Sequence, residues 1–518
     1  MTDITVFDTT LRDGAQMEGI TLSLEDKREI IARLDDLGVD FIEGGMPASN
    51  PTDRSLFSSE IELTHSKMVA FGSTRKPGVA AADDAGLKAL LEARTEWVCI
   101  FGKAWDFHVT EVLRITEEEN IELIRDSIEY LVKNGKKVIF DAEHYFDGYA
   151  SDRTYALKVA RTAREAGAEW VTLCDTNGGS LPTAVSDAVE DTLLETGDCL
   201  GIHCHNDSDL AVACTLAAVD AGARMVQVTV NGLGERCGNA NMCSVLPDLT
   251  LKMGYDIGAD ITKLTKVSHA VSEIANVAHD SFMPYVGSKS FTHKGGMHID
   301  ALLKDPHTYE HVPPESVGNR RNILISEMSG RAGISKKLDE MGIEPTEERV
   351  GEVLERIKDL EGKGYQFEAA DASLELLIRK TCGLEDVPFG IPAFRIYIDE
   401  IGDNSIKSEA SIKVVDANGN MEHTASDGDG PVDAINNALK KALSKFYPKI
   451  GELRLIDYKV RVLDERAATA APVRVMIRTT DGKQKWTTVG VSTNVIEASL
   501  IALVDSMKYA VTKDGWTA

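Results

Sequence analysis

Eight short apolar runs alternate with helical patterns over residues 1 to about 235, and that alternation leaves few folds open. The runs are ITVFD (4–8), VDFIEG (39–44), MVAFG (68–72), WVCIFG (97–102), KVIFDAE (137–143), WVTLCDT (170–176), LGIHCHN (200–206) and MVQVTVNG (225–232). The segments between them are amphipathic. In 24–37, Leu24, Lys27, Ile30, Leu34 and Leu37 recur at spacings of three and four, with Lys27 the sole polar member of that face. Near-continuous apolar strands are buried on both faces, as parallel strands covered by helices are. Eight such units predict an α/β fold built on a parallel (β/α)8 TIM barrel, with a doubly wound open sheet as the alternative.

A chain of 518 residues outgrows one hydrophobic core. The expected layout is a catalytic barrel over 1–280, linker and cap subdomains over 281–390, and a regulatory domain over 391–518. The stretch from Pro284 to Gly333 is rich in Gly, Pro and His, and polar helices follow around 345–360 and 370–380. In the last segment a unit repeats. SEASIKVV leads to Asn418-Gly419, a hairpin signal, then to Gly428-Asp429-Gly430 and a helical pattern over 431–445. PVRVMIRTT leads to Asp481-Gly482, the strand KWTTVGV and a helical pattern over 494–508. Gly419 and Gly482 lie 63 residues apart, and Ala434 and Ala498 lie 64 apart. Two strand–hairpin–helix units at a fixed period predict a small pseudo-symmetric α+β domain. It carries no cluster of catalytic residue types, which suits regulation or dimerisation.

A formal net charge of −27 argues against broad contact with nucleic acid or an anionic membrane. The opening MTDITVFDTT has neither the basic nor the apolar region of a leader, and no long apolar run appears, so a cytoplasmic location is expected. The eight cysteines form no CxxC pair and read as buried free thiols.

Ionisable residues collect at the C-terminal ends of the apolar runs, which in a barrel form one face. DTTLRDGAQ supplies Asp8, Arg12, Asp13 and Gln16. Glu43 ends the second run; Asp141, Glu143 and His144 end the fifth; Asp175 and Thr176 end the sixth. The seventh carries His203, His205, Asn206 and Asp207, and the eighth runs into NGLGERCGNA. His203 and His205, two apart on a strand, point the same way. With Asp13 and Asn239 nearby they suit a divalent metal, Mg²⁺ or Mn²⁺ first and Zn²⁺ as the alternative. Cys204 falls on the opposite face and packs. Arg12 either stabilises an oxyanion or forms a structural ion pair with Asp8 or Glu43. Glu143 is a candidate general base, or a partner of Arg12 or a histidine. The glycines of the GERCGN turn let the backbone bend so that Asn239 faces the metal. FTHKGGMHIDALLKDPHTYE, with His293, His298 and Tyr309, is either a cap bringing a proton-transfer group or an ordinary loop.

Together these motifs resemble the DRE-TIM metallolyase superfamily. TLRDG-Q is met by Thr10 to Gln16, HxHND by His203 to Asp207, and GERxGN by Glu235 to Asn239. Within it the chain resembles the 2-isopropylmalate, homocitrate and citramalate synthases. IEGGMPASNPTD (42–53) and GNRRNILISEMSGRAG (318–333) lean toward the citramalate branch. Asp209 stands where the family usually has Gly, and Cys237 where Ala is usual.

The resemblance implies condensation of acetyl-CoA with a small 2-oxo acid: pyruvate in the citramalate branch, 2-oxoisovalerate in the isopropylmalate branch. It implies Asp13, His203 and His205 as metal ligands with Asn239 as a fourth or near ligand. Arg12 would hold the keto oxygen and Thr176 the substrate carboxylate. Glu143, His298 and Tyr309 would serve proton transfer and thioester hydrolysis. It also implies a homodimer whose last domain binds an end-product amino acid, isoleucine for the citramalate branch. The helix N-termini after Gly430 and near Gly490 to Thr493 are natural carboxylate sites. A same-superfamily lyase or aldolase is one rival, and a non-catalytic amino-acid sensor another. Phe71, Phe101 and Asp141 are candidates for the wall that selects the 2-oxo acid.

Overall fold

The computed structural model describes residues 3–59, 61–326, 330–384, 387–401, 405–464 and 470–512. It divides into two units. The first comprises the residues up to Phe291 together with Val312–Arg321, and the second Thr292–His311 and the residues from Asn322 onward.

In the first unit eight parallel strands close into a barrel in sequential order. They are β1 (Thr5–Asp8), β2 (Phe41–Gly45), β3 (Lys67–Ser73), β4 (Trp97–Lys103), β5 (Lys137–Glu143), β6 (Trp170–Asp175), β7 (Leu200–Cys204) and β8 (Met225–Val228). Closure, through β1 pairing with both β2 and β8, excludes the open sheet. Alternation along each strand separates two cores. Phe7, Phe41, Val69, Trp97, Ile139 and Met225 fill the barrel interior, where Phe41 meets Trp97 edge-on at 4.8 Å. Their neighbours, such as Val6, Ile42, Ala70 and Val98, pack against the surrounding helices. The first of those helices, Leu24–Leu37, starts at a reciprocal Ser23–Asp26 capping box and stops at Gly38, whose φ of 92° is left-handed.

The second unit opens with a two-residue parallel pair, β9 (Thr292–His293) and β10 (Asn322–Ile323). Helices Gly296–Lys304, Arg331–Glu340, Glu347–Gly362 and Asp371–Thr381 follow. The repeat then appears as two antiparallel sheets, each followed by a helix. The first is β11 (Phe389–Ile401), β12 (Ser405–Asp416) and β13 (Met421–Gly428), followed by helix Pro431–Leu443. The second is β14 (Arg454–Val462), β15 (Val473–Thr480) and β16 (Lys485–Ser492), followed by helix Val495–Val511. Each repeat therefore holds three strands, one more than the hairpin signals predict. All eight cysteines are free; six of them, Cys204 included, are buried as expected, whereas Cys382 is half-buried and Cys237, on the turn after β8, is exposed. Among the described residues, no helix is long and apolar enough to cross a membrane.

Candidate active site

After β1 the chain turns tightly. The carbonyl of Thr9 accepts hydrogen bonds from the amides of Arg12, Asp13 and Gly14, which folds both ionic side chains back over the barrel mouth. Asp8 stays below, engaged by the amide and hydroxyl of Thr10. Arg12 instead pairs with Glu43: its Nε donates to Oε2 at 2.6 Å, while Nη1 donates to Asp13 Oδ2 at 2.9 Å. Its guanidinium lies 4.0 Å above the Phe71 ring, which stacks on Phe101 at 5.5 Å. Burial pulls the Arg12 pKa down, but Glu43 and Asp13 outweigh it and hold the group above its ordinary value.

Asp13 Oδ2 is 3.3 Å from His203 Nε2 and 3.8 Å from His205 Nε2. All three residues are buried, and their donor atoms lie within 4.8 Å of one another. The regular strand β7 ends at Cys204, so His205 is not a strand residue; it forms an isolated antiparallel bridge with Asn239. The imidazoles still converge, with centroids 5.1 Å apart. Asn239 Nδ2 sits 3.4 Å from His203 Nε2. Among the described residues, Asp13 Oδ1, His205 Nδ1 and Asn239 Oδ1 are buried without a hydrogen-bond partner. A carboxylate and two imidazoles whose donor atoms converge, with Asp13 Oδ1 buried and unpartnered beside them, fit a divalent cation, because burying such an acceptor unpaired is otherwise costly. Burial pushes Asp13 up, yet Arg12 and His203 outweigh it and keep its pKa well below the carboxylate range. Burial, reinforced by His203, pushes His205 down to about 4, which leaves it a neutral ring near pH 7.

The glycine turn has a measurable purpose. A Cβ on Gly234 would lie 2.0 Å from Asn239 Oδ1, and Gly238 has a φ of 89° with its would-be Cβ 2.1 Å from the Gly232 carbonyl. Asp209 is left-handed too, at φ 59°, which accounts for Gly being usual there.

Around the rim, Glu143 is ion-paired with Lys103, its register neighbour on β4, and not with Arg12 or a histidine. Thr176 Oγ1 accepts the backbone N–H of His144 at 2.9 Å. His144 has a φ of 58°, directs Nδ1 at Asp147 Oδ2 over 2.9 Å and packs against His108. In the second unit, His298 and Tyr309 stack with centroids 4.1 Å apart. Sequence reasoning missed Lys103 and Gln227. Gln227, the one polar residue in the apolar strand MVQV, lies 2.9 Å from His203 Nδ1; its isolation among apolar neighbours was the available signal.

A closed parallel barrel with a buried Asp–His–His cluster at the C-terminal ends of its strands defines a metal-dependent TIM-barrel protein. Residues 3–271 match the HMGL-like family model, and the chain belongs to that family, with a divalent metal as its cofactor class. Residues 285–364 match the "Homocitrate synthase post-HMGL domain-like" model, and 368–511 match the "LeuA allosteric (dimerisation) domain". An (R)-citramalate synthase from Aquifex aeolicus is 50% identical over 517 residues, covering 98% of each chain. One from Geobacter sulfurreducens is 47% identical, covering 99% of this chain and 98% of that one. A probable 2-isopropylmalate synthase from Methanopyrus kandleri is 34% identical, covering 97% of each.

Proposed function

We propose that this chain condenses acetyl-CoA with pyruvate and water to give (R)-citramalate and free CoA. The observation that carries this reading is the buried Asp13–His203–His205 cluster beside Arg12, in a chain 50% identical end to end to an (R)-citramalate synthase. The 34% identity to the probable isopropylmalate synthase ranks 2-oxoisovalerate second.

Asp13, His203 and His205, with Asn239, would hold Mg²⁺ or Mn²⁺, since a carboxylate, two imidazoles and an amide side chain are donors that suit such ions. When bound, the ion polarises the keto carbonyl of the 2-oxo acid and offsets charge growing on its oxygen. Arg12 spends Nε and Nη1 on Glu43 and Asp13, leaving Nη2 to donate to that oxygen. Thr176 Oγ1 already accepts from His144, so its O–H is free to donate to the substrate carboxylate. Glu143, oriented by Lys103, and the stacked His298–Tyr309 pair serve removal of an acetyl-methyl proton and activation of the water that cleaves the thioester. Phe71 and Phe101 form the wall against the substrate methyl group.

The C-terminal domain pairs two chains and binds isoleucine, whose carboxylate suits the N-terminus of helix Pro431–Leu443. At the second predicted position, Asn494 already caps helix Val495–Val511. The eight free thiols accord with a reducing cytoplasm.

CoA release, followed with a thiol reagent, tests the reading. Metal-loaded enzyme should release CoA fastest with pyruvate, lose that activity to EDTA and be inhibited by millimolar isoleucine. Fastest release with 2-oxoisovalerate would replace the substrate, and no release with any 2-oxo acid would refute the condensation.

A further inference from the structure

His203 does not touch only the proposed metal position. Behind it a polar chain crosses the barrel interior from β7 through β8 to β5. His203 Nδ1 lies 2.9 Å from Gln227 Oε1, and Gln227 Nε2 lies 2.8 Å from Asp141 Oδ1 and 3.2 Å from Thr172 Oγ1. His203 and Gln227 are register partners on adjacent strands. Asp141, Gln227 and His203 are 4%, 1% and 4% exposed, so water does not substitute for any link.

We propose that Asp141 and Gln227 are positioning residues that lock His203 in its Nδ1–H tautomer and keep the Nε2 lone pair free for the divalent ion. The inference rests on the metal reading above. An amide side chain has nearly the same shape either way round, so packing alone does not decide which end faces His203. The carboxylate of Asp141 decides it, because it accepts and does not donate, and therefore takes the NH₂ end. Cys99 reinforces this. Burial pushes its thiol well up, so what it offers Asp141 is an S–H, again a donor. Gln227 is left presenting its carbonyl oxygen to His203. A carbonyl cannot donate, so Nδ1 must carry the ring proton and Nε2, 3.3 Å from Asp13 Oδ2, holds the lone pair. Thr172 accepts or donates equally well and imposes no direction. Without the charge at position 141 the amide is free to turn, donate to Nδ1 and send the proton to Nε2, where it blocks coordination. This also removes Asp141 from the substrate wall: its Oδ1 faces inward to Gln227.

The test is calorimetric titration of metal-stripped protein with Mn²⁺. Asp141→Asn should weaken Mn²⁺ binding about 10- to 100-fold, the usual loss when an outer partner of a ligand is removed. The double variant Asp141→Asn/Gln227→Glu reverses the 141–227 link alone and leaves His203 Nδ1 donating. Its new amide donates to the new carboxylate, which accepts from His203 Nδ1, so affinity should recover toward the native value. A packing role gives no such recovery. Gln227→Met, which leaves Asp141 in place, should weaken binding without rescue and covers the case in which Asp141→Asn does not fold. Native affinity in either single variant, or a double variant no tighter than Asp141→Asn, would overturn the proposal. Native protein that binds no Mn²⁺ would overturn the metal reading itself, and the proposal with it.

Discussion

Lys27 sets its ammonium 2.5 Å from Asp53 Oδ1 inside the seam between the first helix and the barrel. It also donates to the carbonyls of Leu11 and Gly44, at 3.1 and 2.9 Å. Those carbonyls belong to the residues next to Arg12 and Glu43, so one buried cation ties together the two segments that build the Arg12 site. Lys27→Met leaves Asp53 buried without its counter-charge, a situation that costs about 3–5 kcal/mol. Urea unfolding of the barrel should shift to a lower midpoint with an unchanged slope; an unmoved midpoint would show that the pair contributes nothing net.

Arg12→Lys keeps the charge but loses the fork that meets Glu43 and Asp13 together and the flat contact with Phe71. CoA release at saturating substrates should fall about 10²–10³-fold, the scale of removing one oxyanion donor. Mn²⁺ binding should stay close to native. Undiminished turnover would relegate Arg12 to a structural ion pair.

Asp8 gives a pH signature. Burial raises its pKa from 3.8 to about 7, against the opposing hydrogen bonds of Thr10 and with a further push from Glu43. The folded state therefore holds this proton more tightly than the unfolded chain does. Its contribution to stability is fully present below pH 4, declines as pH rises, and is lost above about pH 7. Asp8→Asn cannot titrate, so its unfolding free energy should fall less than that of the native protein between pH 4 and 7. Parallel pH profiles for the two proteins would show the shift to be absent.

The edge strands β11 and β14 carry exposed apolar residues at alternate positions: Phe394 and Ile398 on one, Ile456, Val460 and Val462 on the other. Edges of this kind favour another chain. Light scattering should show Ile398→Lys/Val460→Lys dissociating to monomer at concentrations where the native protein is dimeric, with dissociation constants at least about tenfold higher because charges would be buried in the interface. An intact dimer would place the interface elsewhere.

Much of the barrel was readable because its signal is local. Each apolar run coincides with a strand to within a few residues, since strand length and the helical spacing between runs are properties of short windows. The departures occur where neighbours from distant sequence intervene. β14 was overlooked because RLIDYKVRV is exposed along nearly its whole length and shows no buried face. His205 was read as a strand residue because the period-two pattern runs on past Cys204, where the ladder stops and a bridge to Asn239 takes over. Arg12 alone did not reveal its partner; Glu43 won over Asp8 because Thr10, two residues past the strand's end, occupies the Asp8 carboxylate.

Sequence alone determined the eight-unit alternation, the repeat at the C-terminus and the identity of the groups able to hold a metal, because side-chain chemistry and short-range periodicity are written in the chain itself. Tertiary structure decided who faces whom. Lys103 meets Glu143 across a strand register, Lys27 meets Asp53 between the first helix and the helix Pro51–Phe57, and Asp141 reaches Gln227 across the barrel interior. Those pairings span separations of 26 to 86 residues. They follow from the barrel and the helices packed around it, which bring distant segments together in space whatever their distance along the chain, and no local pattern encodes that distance.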